Sequence, residues 1–98
     1  MTQQVKIFTK NMKQEELYRI YEEISDFIYN NSWRSYHIWY TCGSAEVMSN
    51  SAIEFDVYGS SDQGDSDEWI EHWLIDTNGK IYTKDDVYDN IEEFKRDW

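Results

Sequence analysis

Residues 52–58 read Ala52-Ile53-Glu54-Phe55-Asp56-Val57-Tyr58, and residues 74–82 read Leu74-Ile75-Asp76-Thr77-Asn78-Gly79-Lys80-Ile81-Tyr82. The first stretch alternates without a break. In an extended chain Ile53, Phe55 and Val57 point inward, and Glu54, Asp56 and Tyr58 point outward. A strand with that pattern belongs to an antiparallel sheet with one buried and one solvated face. In the second stretch Asn78-Gly79 separates two short apolar runs. Both residues tolerate φ > 0, so this is a strong hairpin signal.

Working outward, residues 68–76 read as the strand that feeds this hairpin. Residues 34–42 are β-like, with Tyr36, Ile38 and Tyr40 on one face and His37, Trp39 and Thr41 on the other. Gly43 to Ser51 has loop composition, with Ala45-Glu46-Val47-Met48 able to prolong a strand. Gly59 to Asp67 is a polar loop and is expected to be the mobile segment. Val5 to Lys10 is short and β-prone, a first strand or an ordered arm.

Two helices flank the strands. Over residues 13–31, Leu17, Ile20, Tyr21, Ile24, Phe27 and Ile28 form one apolar stripe, and Asn30-Asn31-Ser32 is a suitable stop. Residues 84–97 are expected to form the second helix. Thr83 would be its N-cap, with Asp86 three residues on as in a capping box, and Val87, Ile91, Phe94 and Trp98 would line its apolar side. The fold class that follows is α+β: an antiparallel sheet of three to five strands, with an N-terminal and a C-terminal helix packed on one face. At 98 residues with no linker or repeat, residues 1–98 read as a single acidic domain.

The chain carries nine Lys and Arg against twenty Asp and Glu, a net charge of −11. That charge is segregated. Residues 1–40 hold five bases and five acids, whereas residues 41–98 hold four bases and fifteen acids. Between Arg34 and Lys80 there is no basic residue and there are nine acidic ones. Five Trp, eight Tyr and four Phe supply large rings for a small core and argue against disorder. The single cysteine, Cys42, excludes an internal disulfide and suits a reducing compartment. The first residues form no apolar signal segment and no apolar run approaches a membrane span. The expected location is therefore the cytoplasm.

Motifs for catalysis are sparse. A Cys–His nucleophile would have to be built from Cys42 with His37 or His72, yet both histidines fall on strands beside Trp39 and Trp73, where exposed sheet residues are the plainer reading. Among the acids only Glu71, between Ile70 and Trp73, stands in an apolar run that could raise a carboxyl pKa. Asp62-Gln63-Gly64-Asp65-Ser66-Asp67-Glu68 looks like a calcium loop, but its third, fifth and twelfth positions are Gly64, Ser66 and Trp73. No zinc spacing or glycine-rich phosphate loop occurs. Neither a metal nor another cofactor is expected, and the chain is read as non-enzymatic.

The acidic surface is the remaining feature. Glu54 and Asp56 project from one strand face roughly 6.6–6.8 Å apart. If residues 84–97 are helical, Asp85, Asp89, Glu92 and Glu93 sit on neighbouring turns. Runs of charge are usually solvated faces. Like-charge pairs such as Glu22–Asp26 nevertheless cost a few tenths of a kcal/mol, and the net charge exceeds the roughly 2–8 that solubility requires of a small domain. The candidate partner-binding residues are Glu54, Asp56, Tyr58, Asp62, Asp65, Asp67, Glu68, Trp69, Glu71, Asp85, Asp89, Glu92 and Glu93, with Tyr58, Trp69 and Tyr88 as apolar anchors.

In its size, single thiol, charge and acidic stretches (Asp62 to Glu71 and Asp85 to Glu93), the whole chain resembles the small acidic inhibitors of phages and mobile elements: anti-CRISPR proteins, anti-restriction proteins and uracil-DNA glycosylase inhibitors. The order of helix, antiparallel strands and acidic C-terminal helix is similar to that of some anti-CRISPR inhibitors. The resemblance carries over no individual site. It implies a DNA mimic that occupies the basic groove of a DNA-binding nuclease such as a CRISPR effector. The net charge of −11 opposes direct binding to nucleic acid and to an anionic membrane surface. The oligomer would be a monomer or a small homo-oligomer. An immunity protein against a toxin nuclease and an acidic regulatory or assembly subunit are the alternatives.

Overall fold

The computed structural model describes residues 12–31, 38–61 and 68–98. Helix α1 (Gln14–Asn30) is followed by strands β1 (Ile38–Cys42), β2 (Glu46–Val47), β3 (Ile53–Ser61), β4 (Glu68–Ile75), β5 (Ile81–Tyr82) and β6 (Val87–Tyr88), and the chain closes on helix α2 (Ile91–Asp97). The fold is α+β. Among the described residues there are six strands, all antiparallel, which outnumber the three to five expected. They run in the order β1-β3-β4-β5-β6, with β2 pairing on β3 beside β1. The β-prone stretch Val5 to Lys10, and the half of the 34–42 stretch before Ile38, lie outside the described residues.

Helix α1 forms where the periodicity places it. Leu17, Ile20, Ile24 and Ile28 are buried along one stripe. The Glu16 carboxylate accepts the Lys13 backbone N–H at 2.9 Å, satisfying an otherwise orphaned donor at the helix start. At the other end the Asn31 side chain donates to the Phe27 carbonyl at 2.8 Å and stops the helix.

In the sheet, Ile53 pairs with Ile75, Phe55 with Trp73 and Val57 with Glu71. Ile81 continues this row beside Ile75, and Tyr88 beside Ile81. These side chains meet α1 and Phe94 of α2 in one core. Trp73 lies edge-on to Phe55, Phe94 and Trp98. Each fully buried side chain of this size contributes about 1.5–3 kcal/mol. Both helices lie on the same side of the sheet, joined by the Phe27–Phe94 contact and a Lys95–Glu23 ion pair at 2.9 Å.

Two expectations require correction. The C-terminal helix does not begin at residue 84. The Thr83 hydroxyl accepts the Asp86 N–H at 3.1 Å and donates to the Asp86 carbonyl at 3.0 Å, so it closes a turn between β5 and β6. Thr-x-x-Asp supports either a helix start or a local turn. The turn prevails because it sets Tyr88 against Ile81 in the core. Helix α2 is capped instead by Asn90, whose side chain accepts the Glu93 N–H at 2.8 Å. Val87 is accordingly exposed, while Phe94 is buried and Ile91 and Trp98 pack against the core.

The second correction concerns Gly59 to Asp67. Strand β3 continues through Ser61, so only 62–67 remain of the expected loop, outside the described residues. Gly59 is accommodated because the Trp69 indole lies across it: a Cβ at position 59 would stand 2.3 Å from that ring. The hairpin between β4 and β5 forms across Asn78-Gly79 as expected, and of these two residues only Gly79 has positive φ, at +87°. Asp76 N–H donates to the Lys80 carbonyl, which closes a three-residue loop. The Asp76 carboxylate braces it, accepting the N–H groups of Asn78 and Lys80 and the Tyr82 hydroxyl.

Candidate functional site

Both helices lie on one side, so among the described residues no helix covers the sheet's other side. The register fixes what stands there. Thr41, Tyr58 and Ile70 are cross-strand neighbours in one row. Asp56 and His72 form the next row. Glu46, Glu54, Leu74, Tyr82 and Val87 form a third. Ile70 is 65 % exposed, Val87 53 % and Tyr58 43 %. The face is therefore apolar at two ends, with carboxylates between them.

His72 organises the carboxylates. Its Nε2 lies 2.8 Å from Glu54 Oε1 and its Nδ1 lies 3.0 Å from Asp56 Oδ1. Hydrogen bonds to Asp56 and then to Glu54 raise its pKa above the ordinary 6.5, because both favour the protonated ring. Glu46 stands opposite Glu54 on the neighbouring strand. With Ser44, Phe55 and His72, these acids line a hollow of about 90 Å³.

Of the candidate residues, Glu54, Asp56, Tyr58 and Glu68 share this face. Trp69 and Glu71 do not; strand alternation turns them to the helix side. Trp69 covers Gly59 and meets Tyr40 edge-on. Glu71 accepts the Trp73 indole N–H at 2.9 Å, which gives this acid a structural task. Asp85 and Asp89 flank the short β6 hairpin, and Glu92 and Glu93 occupy the first turn of α2, where acids favour the helix dipole. The four are thus not stacked on successive helical turns. Glu93 accepts the Asp89 N–H, and Arg96 approaches Glu93 and Asp97, not Glu92. Tyr88, expected as an exposed anchor, is only 8 % exposed. Asp62, Asp65 and Asp67 lie outside the described residues, as does His37.

Ile70, His72, Glu46 and Val87 were not among the candidate partner-binding residues. Their signal is strand phase. In β4 both phases carry apolar residues, Trp69, Trp73 and Ile75 on one side and Ile70 and Leu74 on the other, so only pairing with the cleanly alternating β3 decides which side faces out.

Cys42 packs against the core on the helix side, and burial pushes its thiol up to about 11. It is therefore held as the thiol at neutral pH and lies across the sheet from His72. Among the described residues there is no group of three or more His, Cys, Asp or Glu placed to hold a metal ion. None of their helices is long and apolar enough to cross a membrane.

No protein-family model, curated protein or solved structure matches the chain.

Proposed function

We propose that this protein is a non-enzymatic inhibitor in the bacterial cytoplasm, an acidic nucleic-acid mimic that blocks the basic DNA-binding groove of a nuclease. The channel of a CRISPR effector, lined to hold PAM duplex and heteroduplex, is the expected target. The observation that carries this reading is the uncovered sheet face, on which Glu46, Glu54 and Asp56 are flanked by exposed Tyr58, Ile70 and Val87. Glu54 and Asp56 repeat along β3 about 6.6–6.8 Å apart, and Glu46 widens the row across the sheet. Carboxylates in such rows attract arginine, which pairs with them in a planar, bidentate manner. The apolar flanks supply the buried anchor that charge alone does not.

The test uses a nuclease captured by the protein and then purified. Binding should weaken on the order of tenfold or more from low to high salt, and duplex DNA should compete for the same site. A ternary complex in which the nuclease holds DNA and this protein at once would overturn the reading.

A further inference from the structure

His72 holds a position that a partner's side chain could take. Its ring is flat, with one nitrogen beside each of two carboxylates of β3, and donates to both when protonated. A guanidinium is also flat, carries a permanent charge and offers N–H donors in several directions, so it can meet both carboxylates at once. A lysine ammonium is a compact point charge and fits this pair less well. In the adjacent row Tyr58 and Ile70 are paired and exposed, a surface for an arginine's methylenes or a neighbouring apolar residue. Among the described residues, no lysine or arginine forms an ion pair with Glu46, Glu54 or Asp56. A second copy of the chain is an unsuitable occupant, because a protein of net charge −11 repels itself.

We infer that the uncovered face docks an arginine-bearing segment of a basic protein, whose guanidinium replaces the His72 ring between Glu54 and Asp56 while adjoining atoms pack on Tyr58 and Ile70. This rests on the basic-partner reading above and adds the docking surface, the side chain recognised and a resident competitor. Protonated His72 neutralises part of the pair and must be displaced. Neutral His72 holds its carboxylates weakly and yields. Affinity therefore increases as pH rises through the ring's raised pKa. The charged and titratable groups around the ring are Glu54 and Asp56 from β3 and Glu46 from β2. Tyr82 of β5 stands beside Leu74, with its hydroxyl committed to Asp76.

The experiment titrates nona-arginine and nona-lysine into the protein at fixed ionic strength, at about pH 6, below the ordinary imidazole value, and at a higher pH above the His72 transition, which the ring's own NMR resonances locate. Calorimetry gives affinity, and amide NMR shifts give location. Nona-arginine should shift residues 54–58 and 70–74. It should bind on the order of twofold to fivefold tighter at the higher pH, the range that a surface ion pair supplies. His72→Thr, whose melting confirms folding, should bind at the lower pH as the native protein does at the higher. Glu54→Gln with Asp56→Asn should abolish the preference for arginine. Shifts confined to residues 85–93 would overturn this inference and leave the basic-partner reading standing. Equal, pH-independent binding of both peptides at the predicted face would overturn the replacement of His72. No binding of nona-arginine anywhere would overturn both readings.

Discussion

The two sides of one sheet obey different rules. On the helix side Phe55, Trp73, Ile75 and Ile81 are sealed under α1 and α2. The acid at Glu71 is tolerated there because it accepts the Trp73 indole N–H. On the other side, a few ångströms through the same backbone, Ile70 stays exposed and the acids are gathered around one imidazole. Hydrophobicity therefore holds the fold on one side only. The other side is released from packing and can be composed for recognition, which is why a large apolar residue beside carboxylates is more informative there than any acid elsewhere.

This contrast can be tested in order of expected effect. Trp73→Ala opens a cavity among Phe55, Phe94 and Trp98, and should cost about 3–5 kcal/mol of unfolding free energy. A loss below about 1 kcal/mol in a urea melt would mean that the helix side is not the core. Gly59→Val should come next. Its side chain collides with the Trp69 indole, and overpacking of this kind costs about 1–3 kcal/mol. Ile70→Ser should change stability by no more than about 0.5 kcal/mol while weakening capture of the nuclease. If it destabilises as much as Ile75→Ser, the two faces do not differ as described.

The remaining effect concerns pH. Folding raises the affinity of His72 for a proton, so the stabilisation from Glu54 and Asp56 is fully present below the unfolded-chain value of 6.5 and is lost as pH rises through the higher folded value. For a solvent-exposed pair this amounts to no more than about 1 kcal/mol. Comparing chemical melts of the native protein and His72→Thr across that window measures it. A difference that grows as pH rises would contradict the sign.

Strand β3 was legible in the sequence because every second residue is apolar and the others are not. Helix α1 was legible because its stripe is uninterrupted. The C-terminal segment was misread for a physical reason: Thr83 and Asp86 satisfy each other locally whether the chain turns or coils, and only Tyr88's burial against Ile81, a contact between strands, separates the outcomes. Glu54, Asp56 and Tyr58 were found because their strand declares its own phase. His72 and Ile70 were missed because their partners lie sixteen and twelve positions away, at Asp56 and Tyr58, and pairing across strands is invisible to local periodicity. The acids of residues 85–93 looked like a coherent patch only while they were placed on a single helix.

The indole laid over Gly59 has a spectroscopic consequence. Its ring current shields protons held above the ring plane, so a Gly59 Hα resonance should move upfield of the usual glycine position. That resonance belongs to a residue on the helix side of β3, opposite Trp69 of β4, and requires the two strands to be in register. It would report pairing of the central strands without any label and without perturbing the face proposed to meet a partner.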